Sequence, residues 1–110
     1  MQQVGGLSAG AMQLLRGPLG SVEKIEILSM LARAAGQAAS IADLARDARL
    51  PPAIAKRVVG ELEQAHFVEV TSRGLVRVAV RERDAEAANE ILEMYAEQPA
   101  TVKSLLAARR

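Results

Sequence analysis

The chain has 110 residues, a formal net charge of +1, one histidine and no cysteine. That length suits a single domain that buries a core without metal or disulfide support. The missing cysteines exclude a disulfide framework, a thiolate metal site and thiol chemistry, while half the residues are hydrophobic and only Phe67 and Tyr95 are aromatic, a balance that suits closely packed, Ala-rich helices.

Residues 1–20 are Gly-rich and open without a clear period. They read either as an arm or as a short helix, with Ser8 as N-cap, Met12 and Leu15 on one side, and Gly17-Pro18 as the stop after Arg16. Ser21–Ala35 reads as a scaffold helix: Ser21 caps it, Glu23 favours its dipole, and Val22, Ile25, Leu28 and Leu31 or Ala32 follow a 3.6-residue period. Gly36 is placed to end it. Ser40 with Asp43 makes a capping-box-like start for a helix over Ile41–Asp47, with Ile41, Leu44, Ala45 and Ala48 inward. A turn, Ala48-Arg49-Leu50, leads to Pro51 and Pro52. Proline is tolerated in a first helical turn, so a second helix runs over about Pro52–Ala65 with Ala55, Val59 and Leu62 on one face and Ile54 and Val58 beside them.

A hairpin follows. Phe67, Val68 and Val70 form one strand, Thr71-Ser72-Arg73-Gly74 the turn, and Leu75, Val76, Val78 and Val80 the other strand, with Arg77, Ala79 and Arg81 alternating between them. Asp84 then opens a helix over about Ala85–Gln98. Its stripe of Ala88, Ile91, Leu92 and Tyr95 faces one way, and Glu86, Glu90, Glu93 and Glu97 lie outside. Pro99 breaks it, and Thr101–Arg110 forms a final short helix with Val102, Leu105 and Leu106 apolar.

The run from Ile41 to Val80 resembles the winged helix-turn-helix domains of bacterial transcriptional regulators. Ala45 is the small residue where two helices cross, Leu50 the apolar turn residue, and Ala55, Val58 and Val59 the inward residues of a recognition helix; Leu62-Glu63 and Phe67-Val68 lead into the first wing strand. The resemblance covers roughly residues 21–80 and implies a mainly α fold with a small β-hairpin (α+β), flanked by an N-terminal arm or short helix (1–20) and by C-terminal helices (82–110). Two positions depart from the pattern. Many members place Gly where Arg49 and His66 stand, since both positions often require a positive φ, and a non-Gly residue there costs about 1 kcal/mol. His66 reads as a helix C-cap interacting with the dipole. Alone, it has no partner for a metal site, and no cofactor is expected.

Charge is segregated along the chain. Arg49, Lys56, Arg57, Arg73, Arg77 and Arg81 outweigh Glu61, Glu63 and Glu69 over residues 49–81, giving +3, whereas residues 82–98 carry −5. A phosphate-facing surface needs such a division, although an ordinary solvated surface with clustered charge also produces it. The resemblance implies a regulator that binds double-stranded DNA, with Arg49, Lys56, Arg57, Arg73 and Arg77 near phosphates and base contacts from Pro52, Ala53, Lys56 and Gly60. For Arg77 the alternative is that it keeps an edge strand soluble. Pro52 and Ala53 offer bases only apolar contact, so phosphate anchoring outweighs sequence reading.

The apolar stripes at Ala88, Ile91, Leu92, Tyr95, Val102, Leu105 and Leu106 are expected to form a homodimer interface; the alternative is that they fold back over the core. Besides DNA binding, the same fold serves as a protein–protein interaction module, which the apolar Pro52, Ala53 and Ile54 would suit. Enzymatic activity is not expected: there is no Gly-rich phosphate loop, no metal-ligand cluster, and Asp43 is a capping residue. The chain has no apolar run long enough to span a bilayer and no secretory pattern at its start, so the expected location is the cytoplasm, without a membrane partner.

Overall fold

The computed structural model describes residues 7–34 and 37–108. Its elements run α1 (Ala9–Arg16), α2 (Val22–Arg33), β1 (Ala39–Ser40), α3 (Ile41–Ala48), α4 (Pro52–Gln64), β2 (Val68–Val70), β3 (Leu75–Val78), α5 (Glu82–Glu97) and α6 (Pro99–Ala108). Residues 1–6, Ala35 and Gly36, where the sequence places the end of the scaffold helix, and Arg109 and Arg110 lie outside the described residues. None of the described helices is long and apolar enough to cross a membrane.

Three serines set three helix starts by one device. The hydroxyl oxygens of Ser8, Ser21 and Ser40 accept the backbone N–H groups of Ala11, Lys24 and Asp43 at 3.3, 3.2 and 3.0 Å, satisfying donors that a helix N-terminus leaves without partners. Residues 9–16 therefore take the helical alternative of the two open from sequence. At α3 the carboxylate of Asp43 pairs with Arg46 at 3.2 Å, so Ser40 supplies the cap and Asp43 a first-turn charge.

Between α3 and α4, Arg49 adopts the left-handed conformation (φ 59°, ψ 44°), and the Leu50 N–H reaches back to the Ala45 carbonyl at 2.8 Å. This six-to-one bond closes α3 and turns the chain sharply. Pro51 precedes α4 and Pro52 begins it, where the missing N–H costs nothing. The other end of α4 repeats the geometry: His66 sits at φ 67° and the Phe67 N–H bonds the Leu62 carbonyl at 2.9 Å. Both positive-φ expectations hold. His66 is not itself the cap, however. Ala65 occupies that position, and His66 is the exposed left-handed residue after it.

The wing has a third strand that the sequence reading lacks. β1 pairs antiparallel with β3 (Ala39 opposite Val76, Ser40 opposite Leu75), and β2 pairs with the other side of β3 (Val68 opposite Val78, Glu69 opposite Arg77, Val70 opposite Val76). The order β1-β3-β2 makes β3 central over Leu75 and Val76, and Arg77 is paired on the β2 side, opposite Glu69. Gly74, at φ 80°, supplies the turn conformation that a side chain rarely adopts.

Two helix boundaries shift. α5 begins at Glu82 rather than near Ala85, with Glu82 and Asp84 both in its first turn, where acidic side chains favour the dipole. α6 begins at Pro99 itself. The break falls at Gln98, whose φ of −140° and ψ of 67° lie outside the helical region that a residue before proline disfavours, and Pro99 opens the next helix.

α5 packs against both α1 and α2, and α6 packs on α5. One buried cluster joins Leu7, Leu15 and Leu19 to Ile25, Leu28, Val59, Leu62 and Phe67. Ala88, Ile91, Val102 and Leu106 belong to this cluster and are 2, 0, 0 and 6% exposed. Within the single chain these four expected dimer residues are packed internally, with α1 and α2 against α5 and α5 against α6. Leu92, Tyr95 and Leu105 stay half-buried.

Candidate nucleic-acid interface

α4 presents two faces. Ala55, Val58, Val59 and Leu62 are buried, which fixes the helix rotation against α2 and α3. Pro52, Ala53, Lys56 and Arg57 are exposed, and Gly60 is half-buried on the same side, as spacings of three, four and seven residues require. A Cβ built on Gly60 would meet nothing within 4 Å. The outer surface of α4 is thus low at Ala53 and Gly60 and carries its charge at Lys56 and Arg57, with exposed Arg49 at the preceding turn.

The wing tip is held by Thr71. Its hydroxyl oxygen accepts the N–H groups of Arg73 and Leu75 at 3.3 and 3.1 Å, and its backbone bonds Leu75 and Gly74 at 2.8 and 2.9 Å. Arg73 projects from this closed turn and is exposed.

The five candidate phosphate cations are not equivalent. Arg49, Lys56 and Arg73 form no ion pair among the described residues. Arg77 donates from Nε to Glu69 Oε1 at 2.6 Å across the β2–β3 pair. Arg57 faces Glu61 one turn along α4 at 3.6 Å, and the other oxygen of Glu61 pairs with Lys24 of α2 at 3.3 Å. Lys24, Glu61 and Glu69 are absent from the sequence-based candidates. The Arg57–Glu61 spacing of four residues was a readable signal, whereas the Glu69–Arg77 pair depends on strand register, which alternation alone does not give.

Glu90 differs more sharply from its expected place on the outer face of α5. One of its oxygens accepts both the backbone N–H and the hydroxyl of Ser8, at 3.1 and 2.7 Å. The phenol of Tyr95 is held above the ordinary value near 10 by burial and by the Glu26 carboxylate of α2, against an opposing effect of Arg33. Both residues therefore work inside the chain. Among the described residues, no group of His, Cys, Asp and Glu is arranged to hold a metal.

No protein-family model matches the chain, and no curated protein matches it. Solved structures do. The crystal structure of the Mycobacterium tuberculosis MarR family protein Rv2887 is 25% identical, with a TM-score of 0.56, over 90% of this chain and 66% of that one. Rv2887 in complex with DNA gives 21% identity and a TM-score of 0.57 over 94% of this chain and 75% of that one. A mutant of Lactococcus lactis ZitR gives 18% and 0.54 over 77% and 59%. The chain spans about two thirds of the first Rv2887 chain. With α3 and α4 joined by the left-handed turn at Arg49 and the three-stranded wing behind them, the chain is a winged helix-turn-helix protein.

Proposed function

We propose that the chain is a DNA-binding transcriptional regulator that lays α4 in the major groove and rests its wing on the flanking backbone, and that it does so as a homodimer. The observation that carries this reading is the outer face of α4: a helix locked by its buried side, low at Ala53 and Gly60, with Lys56 exposed and without an ion pair among the described residues. The DNA complex of a protein with this fold supports it.

Arg49, Lys56 and Arg73 are the principal phosphate ligands in this reading, and Arg57 and Arg77 engage by exchanging a glutamate for a phosphate. Pro52, Ala53 and Gly60 face bases with apolar surface only, which suits a thymine methyl but provides no bidentate reading. Affinity then comes chiefly from the backbone and falls with salt. Leu92 and Leu105, half-buried on the two C-terminal helices, are among the apolar positions open to a second copy.

The test is fluorescence anisotropy of a labelled duplex titrated at several salt concentrations. Each phosphate contact contributes about −0.9 to the slope of log affinity against log salt, so Lys56→Ala and Arg73→Ala each flatten the slope by about one unit. Absence of binding at low salt would instead favour a protein-docking use of the same face, which the exposed Pro51, Pro52 and Ala53 suit. Light scattering that gives the mass of one chain, with and without duplex, would reject the homodimer.

A further inference from the structure

We propose that Glu61 is a positioning residue that restrains Arg57 in the free protein, and that Lys24 offsets its charge so that Arg57 can pass to a phosphate. The inference rests on the duplex-binding reading and concerns how that surface is regulated. Glu61 lies at the meeting of two cations on different helices. Its Oε1 is 3.3 Å from Lys24 Nζ and its Oε2 is 3.6 Å from Arg57 Nη1.

The two pairs differ in environment. Lys24 is 18% exposed, held between α2 and α4, whereas Arg57 is 60% exposed. An exposed pair within one helix is held weakly, so Arg57 exchanges partners readily. The Lys24 pair is shorter and more sheltered, and is the one that persists.

A phosphate arriving at α4 meets the Glu61 carboxylate as a like charge one turn from Arg57. With Lys24 in place, that charge is largely matched from behind, and Arg57 rotates outward. Without Lys24, the carboxylate keeps Arg57 and repels the backbone. Lys24 thus promotes binding from a helix that need not touch the duplex, and Glu61 opposes it. The opposition raises the threshold for weak, sequence-independent engagement, because Arg57 contributes only where the backbone is well placed to displace Glu61.

The experiment is anisotropy titration of one labelled duplex with the full chain and with Glu61→Gln, Lys24→Gln, the double variant, and Glu63→Gln as a charge control, an exposed position on α4 away from this pair. Thermal unfolding is followed in parallel to confirm folding. Glu61→Gln is expected to tighten binding about three- to tenfold at low salt and to steepen the salt slope, more than Glu63→Gln does. Lys24→Gln is expected to weaken binding by a similar factor, and the loss to vanish in the double variant, because Lys24 then has no charge to offset. Equal effects of Glu61→Gln and Glu63→Gln would overturn the proposal, as would a Lys24→Gln loss that persists without Glu61, while leaving duplex binding intact. If the unaltered chain does not bind duplex at all, the duplex-binding reading falls, and this inference with it.

Discussion

Ser8 gives both its backbone N–H and its hydroxyl to one carboxylate oxygen of Glu90, at 3.1 and 2.7 Å, across 82 residues of sequence. The same hydroxyl oxygen accepts the Ala11 N–H. One serine therefore starts α1 and fastens it to the middle of α5. Hydrogen bonds to an ionised acceptor are stronger than neutral ones, and this one is partly shielded from water.

Ser8→Ala should accordingly cost about 1–2 kcal/mol, combining a lost N-cap with a lost charge-assisted bond. Glu90→Ala should cost a similar amount, and the double variant less than the sum, because the two single changes remove one interaction. Chemical denaturation of the four proteins measures the coupling. Strict additivity would show that α1 is not held by this contact.

Tyr95 lies on α5 within the influence of the Glu26 carboxylate of α2. Burial and the Glu26 carboxylate raise its pKa above 10, which means the fold favours the neutral phenol. The resulting stability is present below the unfolded-state value and is lost as pH rises through the folded one. The chain has one tyrosine and no tryptophan, so tyrosinate absorbance near 295 nm reports this group alone. Its midpoint should lie above 10 in the native protein, and Glu26→Gln should bring it down. A midpoint at or below 10 would show that the phenol is solvated.

The sequence made the central unit legible because each of its signals is local. Ser40 before Ile41, Pro52 at a first turn, and the alternation from Leu75 to Val80 are patterns within a few residues, and the corresponding elements form close to where those patterns put them. What stayed hidden depends on partners far away in the chain. β1 is two residues long and has no periodicity to read; only β3 makes it a strand. Glu90 looks like the other outward carboxylates of α5 until α1 is laid beside it. The stripe of Ala88 and Ile91 announces burial without saying against what, so it served equally well for a dimer and for the chain's own core. Charge and the resemblance to winged helix-turn-helix domains single out the candidate phosphate cations, but the division into Lys56 and Arg73, without an ion pair among the described residues, and glutamate-bound Arg57 and Arg77 requires the register of the wing and the approach of α2 to α4.

Gly60 is a glycine that the fold does not need. It lies in the interior of α4, its φ is ordinary, and a methyl group there would enter open space. Glycine at such a site costs up to about 1 kcal/mol relative to alanine, so Gly60→Ala should raise stability by that order. On the duplex-binding reading, the same methyl group narrows the approach of α4 to the groove, and affinity should fall severalfold. Greater stability with unchanged affinity would place Gly60 outside the contact.

Arg49 and His66 allow the backbone and the charge to be separated. Both hold positive φ, 59° and 67°, at the ends of α3 and α4, and a side chain in that conformation costs about 1 kcal/mol relative to glycine. Arg49→Gly and His66→Gly should therefore each raise the unfolding midpoint, by similar amounts. Their effects on duplex binding should diverge. Arg49 is an exposed cation at the entrance to α4, without an ion pair among the described residues, so its removal should weaken binding and flatten the salt slope by about one unit, even though the protein has become more stable. His66 lies at the far end of α4, and its replacement should leave the slope unchanged. A parallel loss in both variants would mean that loosening the turns, rather than losing a phosphate ligand, controls affinity, and Arg49 would then be a turn residue only.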